Sequence, residues 1–523
     1  MRTTPLPRPA AHLRLQDTDD ITTAISDNKE NGTAVQHNSR RFTVEEMAKL
    51  QDPKVNRIAS VTQLFFLDYY FDFMTYVGKR QKRIKDIKSK LEGMNELEQQ
   101  IQWRSYAGKE RALLRKRRIR LKFGDFQVLT QVGQGGYGQV YLARKSDTKE
   151  VCALKVMNKR LLHKLDEINH VLTERDVLTQ SNSPWLVNLL YAFQDPSSIY
   201  LAMEYVPGGD FRTLLNNTGI LHPQHARFYI SEMFMAVEAL HSLGYIHRDL
   251  KPENFLIDAG GHIKLTDFGL SAGKLSSERV ESMRCKLDAV KDIDQYTSYR
   301  SNQATRQSIY RSLRKNEGMR LANSIVGSPD YMALEVLEGK KYDFTIDYWS
   351  LGCMLFEGVA GYPPFSGASV NETYANLRRW RHVLRPPVSQ SGQCCMSART
   401  WELITHLIAY PHERPRSFKE IQKFSYFSEV DWSKLRETNP PFVPQLDSDT
   451  DAGYFDDFSN EADMAKYKEV QQKQQQVEKL ADKAEPIGRT AFVGFTFRRH
   501  KTPLLDRDEK NETTEKDTFS TFF

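Results

Sequence analysis

The amino-acid sequence predicts an α+β protein in which a strand-rich lobe precedes a helical lobe. The stretches FQVLTQVGQGGYGQVYLARK and VCALKVM, which follow one another from residue 126, alternate apolar and polar residues around glycines, as β-hairpins do. Two later stretches, HARFYISEMFMAVEALHSLG and DYWSLGCMLFEGVAG, have the broad apolar faces of long helices. Because 523 residues exceed what one hydrophobic core usually supports, we predict a two-lobed unit with appended segments.

The composition argues against a membrane protein and against a secreted one. Hydrophobic residues make up 40% of the chain and charged residues 27%, and the mean hydropathy is -0.58. No stretch approaches the roughly 18 uncharged apolar residues of a membrane-spanning helix, and the first residues lack the apolar core of a signal peptide. The five cysteines are scattered and lack metal-ligand spacing, which favours a reducing intracellular compartment.

Two segments of different character precede the strand-rich lobe. Residues 1–44 are rich in Thr, Asp, Asn and Pro without apolar periodicity, which predicts a disordered tail. In residues 45–122, aromatic and aliphatic residues recur at spacings of three and four, which predicts amphipathic helices. This helical region is basic, with seven Lys and Arg and no acidic residue from Arg111 to Lys122.

The basic face of this region has three interpretations. A run of positive charge can be a solvated helix face, a nucleic-acid site or a site for an acidic protein. Aromatic residues interleave with the charges here, which favours the acidic protein partner over nucleic acid. The residues assigned to that partner are Lys79, Arg80, Arg83, Arg115, Arg117 and Arg118.

A glycine-rich loop and a lysine predict a phosphate site in the strand-rich lobe. The loop Gly133–Gly138 lies between two strand-like runs, where glycines let backbone N–H groups approach phosphate oxygens. The next strand carries Lys155, whose ammonium is expected to reach the same phosphates. In the following helix, Glu174 is expected to hold that lysine by an ion pair. Each signal alone is weak, since glycine-rich hairpins and surface lysines are common.

The sequence HRDLKPEN over His247–Asn254 is more specific, because it places a carboxylate, a cation and an amide in one short loop. Asp249 is expected to orient a hydroxyl and accept its proton, and Lys251 to neutralise a transferring phosphoryl group. Asn254 is an expected Mg²⁺ ligand. Asp267, which opens the sequence Asp-Phe-Gly after a strand-like HIKLT, is the principal expected ligand of that ion.

This order of motifs resembles that of the eukaryotic protein kinases. The resemblance covers residues 126–427 and continues through the sequences YMALE and DYWSLG. It implies transfer of the ATP γ-phosphate to protein serine or threonine with Mg²⁺ as cofactor. One departure is Leu334, which stands where the family has the proline of Ala-Pro-Glu, although Glu335 remains available to pair with Arg414.

The resemblance also implies the residues of the nucleotide site. A pseudokinase scaffold is the alternative, and it is disfavoured because the lysine, the glutamate and the loop residues named above are all present. Met203 is the expected gatekeeper. The backbones of Glu204 and Val206 are expected to meet adenine, and Asp210 the ribose. The full set of expected ATP contacts is Val132, Gly133, Gly135, Gly136, Gly138, Val140, Ala153, Lys155, Met203, Glu204, Val206 and Asp210.

The hinge sequence MEYVPGGD and the C-terminal sequence FVGFTF are similar to those of the AGC group of kinases. In that group a C-terminal tail wraps back onto the small lobe, which assigns residues 428–500 to such a tail and leaves 501–523 as a polar end. The aromatic side chains of Phe492–Phe497 are expected to fit a groove on the small lobe. Thr496 stands where the group is phosphorylated.

Two further features make the chain similar to the NDR/LATS family, namely the basic helical region and an insertion over about 274–320, before Gly327. The sequence GSPDYMALE is most similar to that of fungal kinases of the mitotic exit and septation initiation networks. This resemblance implies a role in mitotic exit, septation and cytokinesis, with a Mob-type coactivator and an upstream activating kinase. It implies a cytoplasmic protein at the spindle pole body and at the division site or bud neck, and in part in the nucleus.

Two other functions stay open at this point. A kinase of the same family that controls polarity and morphogenesis would carry the same motifs. A more distant alternative is a basophilic AGC kinase that uses its basic region as a membrane or nucleic-acid anchor. Binding of an acidic Mob-type protein, as opposed to lipid or RNA, separates these alternatives.

The resemblance finally implies sites of control and of substrate selection. Ser324 and Thr496 are the expected phosphorylation sites, and a phosphate on Ser324 is expected to pair with Arg248 and His170. Asp210, Glu253 and Glu357 match positions of an acidic pocket, which implies substrates with an upstream arginine. Between residues 300 and 320 the insertion carries six Lys or Arg against one acidic residue. It is therefore expected either to occupy the acidic cleft and inhibit, or to be a solvated loop without a role.

Overall fold

The structure is a computed structural model of the chain. It describes residues 43, 73–74, 76–118, 120–135, 138–165, 167–271, 303–304, 306–308, 310, 329–388, 394–458, 460, 464, 467, 492 and 495–499. Several predicted features lie outside these residues: the 1–44 tail except Thr43, Gly136, most of the 274–320 insertion, Ser324, the 501–523 end and the side chains of 115–118. No helix in the described parts of the chain is long and apolar enough to cross a membrane.

Among the described residues, two helices precede the lobes. The first, α1, covers 76–91, and the second, α2, covers Glu96–Arg118. The chain turns between them at Gly93, whose φ of 90° favours glycine. The side chain of Asn95 caps α2 by accepting a hydrogen bond of 2.9 Å from the backbone N–H of Glu98.

The small lobe is an antiparallel sheet in the order β1-β2-β3-β5-β4-β8. Its strands are β1 Phe126–Gln134, β2 Gly138–Lys145, β3 Val151–Asn158, β4 Leu189–Gln194, β5 Ser198–Glu204 and β8 Phe497–Arg498. Helices α3, Lys159–Lys164, and α4, Ile168–Gln180, follow β3. Stacked rings of Phe126, Phe193 and Tyr200, with centroids 5.3 and 4.7 Å apart, fill a second apolar layer of the sheet.

The large lobe is helical, with one short hairpin of β6, Phe255–Ile257, and β7, Ile263–Leu265. Its helices are α5 Phe211–Thr218, α6 Pro223–Ser242, α7 Leu334–Leu337, α8 Thr345–Ala360, α9 Val370–Arg378, α10 Trp380–Val383, α11 Ala398–Leu407 and α12 Phe418–Ile421. Every residue of α8 is buried, so this helix is the centre of the lobe. The predicted α+β fold, with a strand-rich lobe before a helical one, is confirmed.

The C-terminal tail crosses the segment that joins the two lobes. The Tyr205 hydroxyl donates a hydrogen bond of 2.5 Å to the carbonyl of Asp451. A Cβ at Gly209 would lie 2.9 Å from the carbonyl oxygen of Tyr454, and the φ of Gly209 is 73°. Glycine is required there because the tail passes too close for a side chain. The tail is therefore part of the wall behind the hinge.

Candidate active site

Strand register brings the predicted nucleotide residues together. Across the small-lobe sheet Gly133 pairs with Val140, Val140 with Lys155, and Ala153 with Met203. The loop is closed by the N–H of Gly135, which donates to the carbonyl of Gly138 at 2.8 Å. These contacts place the glycine loop, the lysine and the gatekeeper on adjoining strands.

Glycine at 138 has a steric cause. A Cβ on Gly138 would lie 2.2 Å from the carbonyl oxygen of Val156, a distance that no side chain tolerates. At the other end of the site, the backbone N–H of Glu204 donates to the carbonyl of Asn188 at 2.9 Å, which fixes the end of β5. Val206 is buried beyond it, and Asp210 caps α5 by accepting the N–H of Thr213 at 2.7 Å. Burial raises the pKa of Asp210.

Lys155 and Glu174 form an ion pair between β3 and α4. The Lys155 Nζ lies 2.7 and 2.9 Å from the two carboxylate oxygens of Glu174. Burial raises the pKa of Glu174, while the ammonium of Lys155 opposes that shift and Asp267 adds to it. The facing ammonium of Lys155 favours the ionised form of this buried carboxylate. The pair therefore fixes the lysine against the helix.

The loop His247–Asn254 orders three polar groups by short contacts. The Lys251 Nζ lies 3.0 Å from Asp249 Oδ2, and this carboxylate raises the pKa of Lys251. The Asn254 side-chain amide donates to the backbone carbonyl of Asp249 at 2.8 Å. The carbonyl of Asn254 accepts the N–H of Thr266 at 3.0 Å, which ties the loop to the residue before Asp267.

Two residues of this region hold uncommon backbone conformations. Arg248 has a φ of 71° and Asp267 a φ of 63°, where a residue other than glycine costs about 1–3 kcal/mol. Both flank buried anchors, because the ring of His247 packs 5.9 Å from that of Phe268 and both side chains are fully buried. Such strain persists only where the surrounding structure over-determines it.

Asp347 positions the loop His247–Asn254, a role that the sequence motifs did not assign to it. Its buried carboxylate accepts the backbone N–H groups of His247 and Arg248, each at 2.9 Å, and lies 2.8 Å from Nε2 of His241. Although burial alone would raise it, these hydrogen bonds hold the pKa of Asp347 below its usual range. The carboxylate on α8 thus holds the start of the catalytic loop. Its place in the sequence DYWSLG was the available signal.

The donor set fits a divalent cation with the phosphates of a nucleotide. The negative charge of Asp267 raises the pKa of both Glu174 and Lys251. Its carboxylate therefore lies within electrostatic range of the ion pairs to which these two residues belong. The backbone of Asn254 is bonded to Thr266, the residue before Asp267, and the side chain of Asn254 adds an amide oxygen. Carboxylate and amide oxygens are hard ligands, which suit a hard divalent ion.

The predicted acidic pocket is assembled, but an arginine of this chain already lies in it. Arg212 on α5 has its Nε 3.1 Å from Glu253 Oε1 and its Nη2 3.2 Å from Glu357 Oε2. Glu357 is buried on α8, and the hydroxyl of Tyr331 donates to it at 2.6 Å. Sequence reasoning named the carboxylates and missed Arg212, because a lone arginine in a helix carries no motif.

The C-terminal aromatic segment docks on the small lobe. Phe492 and Phe495 are buried with ring centroids 6.0 Å apart, and β8 pairs with the edge of β4. The carbonyl of Phe492 accepts the side-chain amide of Gln194 at 2.6 Å. The guanidinium of Arg175, next to Glu174 on α4, lies 6.0 Å from the Phe495 ring. Thr496 is exposed between these anchors.

The predicted partners of the activation-loop phosphate are engaged elsewhere. The Nδ1 of His170 lies 2.5 Å from Glu167 Oε2. The guanidinium of Arg248 donates to the carbonyl of Leu270 at 3.3 Å and lies 5.7 Å from the ring of Tyr342. Ser324 lies outside the described residues.

Described residues of the insertion contact the last turn of α8 and the segment just beyond it. The side chain of Gln303 donates to the carbonyl of Ala360 at 3.0 Å. Arg306 is buried, with its guanidinium 4.4 Å from the ring centre of Tyr362. Tyr310 donates to Glu357 Oε1 at 3.0 Å. In the described part of the insertion, the acidic pocket is therefore contacted by a tyrosine hydroxyl.

Two of the predicted partner-binding residues pair within the N-terminal helices. The Nε of Arg83 lies 2.6 Å from Glu110 Oε1, and that of Arg80 lies 3.9 Å from Glu110 Oε2. Glu110 is buried, so it holds α1 against α2. Lys79 is exposed. The side chains of Arg115, Arg117 and Arg118 lie outside the described residues.

Comparison with known proteins gives two family matches. The Protein kinase domain matches residues 126–298 and 301–427. The Protein kinase C terminal domain matches residues 446–497. Together these matches cover the two lobes, the segment over the hinge and the docked aromatic segment.

Whole-length relatives are also similar. Serine/threonine-protein kinase DBF20 of Saccharomyces cerevisiae is 54% identical over 511 residues, 95% of this chain and 89% of that protein. Cell cycle protein kinase DBF2 of the same yeast is 56% identical over 478 residues, 90% of this chain and 83% of that protein. Serine/threonine-protein kinase sid2 of Schizosaccharomyces pombe is 52% identical over 470 residues, 89% of this chain and 77% of that protein.

These matches confirm the predicted family and activity, and they fit the site, where an ion-paired lysine, a carboxylate loop and a divalent-ion donor set converge. Use of ATP with a divalent metal and action on protein substrates follow from the family. The chain therefore belongs to the protein kinases, as a serine/threonine kinase of the NDR/LATS family with an AGC-type C-terminal tail.

Proposed function

We propose that this kinase regulates mitotic exit, septation and cytokinesis, and acts in the cytoplasm at the spindle pole body and the division site, and in part in the nucleus. The observation that carries the proposal is 56% identity over 90% of the chain to a protein named as a cell cycle kinase. Control of polarity and morphogenesis by a kinase of the same family is the second candidate.

Replacement of the gene by an Asp249→Asn form separates these two roles. The proposal predicts cells that divide their nuclei but fail to complete a septum, and a fluorescent fusion at the spindle poles and the division site. Normal septation with misshapen cells would favour the polarity role instead. Unaltered division and growth would contradict both.

Mg²⁺ is the proposed metal. Asp267 and Asn254 supply carboxylate and amide oxygens, and they come from one loop and the strand end next to it. When bound with ATP, Mg²⁺ supplies charge neutralisation at the phosphates. Lys155, held by Glu174, is the proposed ligand of the α- and β-phosphates, and Asp249 is the proposed acceptor of the substrate hydroxyl proton. Replacing Mg²⁺ by Ca²⁺ is expected to abolish turnover, because Ca²⁺ prefers longer bonds and more ligands.

A Mob-type coactivator is the proposed partner of α1 and α2. Support comes from the positive charge of this region, with Lys79 exposed on α1 and a run of basic residues in the sequence at the end of α2. The Arg83–Glu110 pair builds the helix hairpin, so its loss would disturb the fold as well as any interface.

Variants of the surface can therefore be separated from a variant of the helix hairpin. Reversing Lys79, Arg115, Arg117 and Arg118 is expected to weaken coactivator binding by at least about tenfold and to reduce its salt dependence. Arg83→Gln serves as the comparison, because it removes the Glu110 pair and reports on the hairpin itself. Unchanged binding after the four reversals, measured by calorimetry at two salt concentrations, would rule out the surface.

The proposed control uses an upstream kinase that phosphorylates Ser324 and Thr496. Thr496 is exposed beside the buried Phe495 and next to strand β8, which supports access for a modifying enzyme. A phosphate there is expected to steady the docked segment and, through Arg175, the helix that carries Glu174. Phosphate mapping on the activated protein tests both positions.

Substrates with an upstream arginine are the proposed targets. Asp210 lies at the start of α5 beside the site, and a carboxylate can pair bidentately with a guanidinium. We expect a peptide array to favour arginine upstream of the phosphorylated residue. A preference for acidic residues, or for proline after the target, would contradict this.

A further inference from the structure

We propose that Arg212 determines substrate specificity by filling the acidic subsite of Glu253 and Glu357 from within the chain. The kinase then recognises one upstream arginine through Asp210, and a second arginine in the substrate raises kcat/KM little. This inference rests on the proposed assignment of the three carboxylates to peptide binding.

The contacts of Arg212 are those that a substrate arginine would make. Its three guanidinium nitrogens are all engaged: Nε with Glu253, and Nη1 and Nη2 with the two oxygens of Glu357. Nη2 also contacts the hydroxyl of Tyr331. A planar guanidinium that meets a carboxylate side by side is the geometry by which carboxylates recognise arginine in other proteins.

Glu357 has no acceptor capacity left for a substrate. A carboxylate offers about four lone-pair sites. On Oε1 these are met by Arg212 and the hydroxyl of Tyr310, and on Oε2 by Arg212 and the hydroxyl of Tyr331. A second guanidinium could bind only by displacing one of these donors.

Displacement of Arg212 is unfavourable because the residue is fixed and buried. Only 5% of its surface is exposed, and 2% of that of Glu357. Its helix, α5, is capped by Asp210 and anchored by the buried Phe211 and Leu215. Moving Arg212 out would leave a buried carboxylate without its cation until the substrate arrived.

Asp210 differs from the other two carboxylates. It is the N-cap of α5, two residues before Arg212, and its Oδ1 accepts the Thr213 N–H. The structure therefore divides the three predicted pocket residues into one carboxylate at the helix start and two that serve Arg212.

The test compares three peptides that carry no, one or two upstream arginines and are otherwise identical. For the wild-type kinase, kcat/KM is expected to rise with the first arginine and to change less than about twofold with the second. Arg212→Ala vacates the subsite, so the second arginine is expected to raise kcat/KM by about tenfold, a gain of about 1.4 kcal/mol. Arg227→Ala, on α6 in a surface pair with Glu429, is the matched control and should keep the wild-type pattern.

Two further measurements cover a poorly folded Arg212→Ala protein. The two-arginine peptide should raise the Tm of that variant more than that of wild type, because it returns a cation to Glu357. Glu357→Gln in the wild-type background keeps the side-chain shape, and the ratio between the two- and one-arginine peptides should stay within about twofold.

The outcomes separate the two claims. A wild-type kinase that gains tenfold from the second arginine, and loses that gain on Glu357→Gln, would overturn the role of Arg212. So would a folded Arg212→Ala protein without any gain. A wild-type kinase indifferent to the first arginine would instead overturn the proposed arginine preference, and the Arg212→Ala comparison would still decide the subsite.

Discussion

At the scale of single residues, Leu334 shows how a departure from a family motif can be harmless. Leu334 is the first residue of α7, and the preceding Ala333 is extended, with φ -65° and ψ 143°. Both conformations suit proline, which is favoured at the first helical position. What the motif must keep is Glu335, which is buried and accepts two hydrogen bonds from Arg414, one of them at 3.1 Å.

We therefore expect Leu334→Pro to change the free energy of unfolding by less than about 1 kcal/mol, since the gain in chain stiffness offsets some lost packing. Glu335→Gln is the paired variant, and it should cost about 3 kcal/mol or more because Arg414 stays buried without its counter-charge. Denaturant unfolding of both proteins measures the difference. Equal losses would show that the proline position matters as much as the ion pair.

The candidate catalytic residues could largely be predicted from the sequence. The residues that position them could not. Asp249, Lys251 and Asn254 sit within one short motif, so their chemistry could be inferred from spacing. The partners of Arg212 lie 41 and 145 residues away, and Asp347 lies 100 residues from His247. Contacts of this kind depend on tertiary packing, which leaves no local pattern in the chain.

At the scale of elements, the docked tail links the end of the chain to α4. Docking of this segment in a groove could be predicted from the resemblance, because the aromatic residues that carry it lie close together in the sequence FVGFTF. The pairing of β8 with the edge of β4 could not be predicted, because a two-residue strand is too short to have a period. Its backbone bond, from Arg499 to the carbonyl of Leu190 at 2.9 Å, covers a sheet edge that would otherwise be open.

Phe495→Ala should release this tail. The side chain is fully buried, and its loss should cost about 3–5 kcal/mol of docking. We expect lower kinase activity and faster amide exchange in β4 and α4. Thr496→Ala, at the exposed neighbouring position, should leave the exchange of the unphosphorylated protein unchanged and reduce only activation by the upstream kinase. Full activity with a released tail would show that docking does not steady the Lys155–Glu174 pair.

At the scale of the whole molecule, the insertion and the substrate cleft share α8. Arg306 donates to the carbonyl of Pro364 at 3.0 Å, and a Cβ at Gly361 would meet the side chain of Gln307 at 2.4 Å. Tyr310, in the same segment, donates to Glu357, in the subsite that Arg212 fills. We predict that the insertion restricts access to the cleft until a partner or a phosphate displaces it.

Deletion of residues 300–318 is accordingly expected to raise the basal activity of the unphosphorylated protein. Arg306→Ala should do so in part, because it removes the buried guanidinium that anchors the segment. Initial rates on a peptide substrate, with the full chain as reference, measure both. Identical rates for all three proteins would remove autoinhibition and leave the two phosphorylation sites unaffected.

The central claim is that the described lobes form a working protein kinase. It is tested most directly by phosphate transfer from ATP to a protein substrate, using the purified full chain and its Asp249→Asn form. We expect serine or threonine phosphorylation by the wild type and a loss of at least about 10²-fold in kcat for the variant, with an unchanged Tm. Asp449→Asn, an exposed carboxylate in a surface pair with Arg144, should behave as wild type. Near-normal turnover by Asp249→Asn would show that phosphate transfer does not depend on the carboxylate of Asp249.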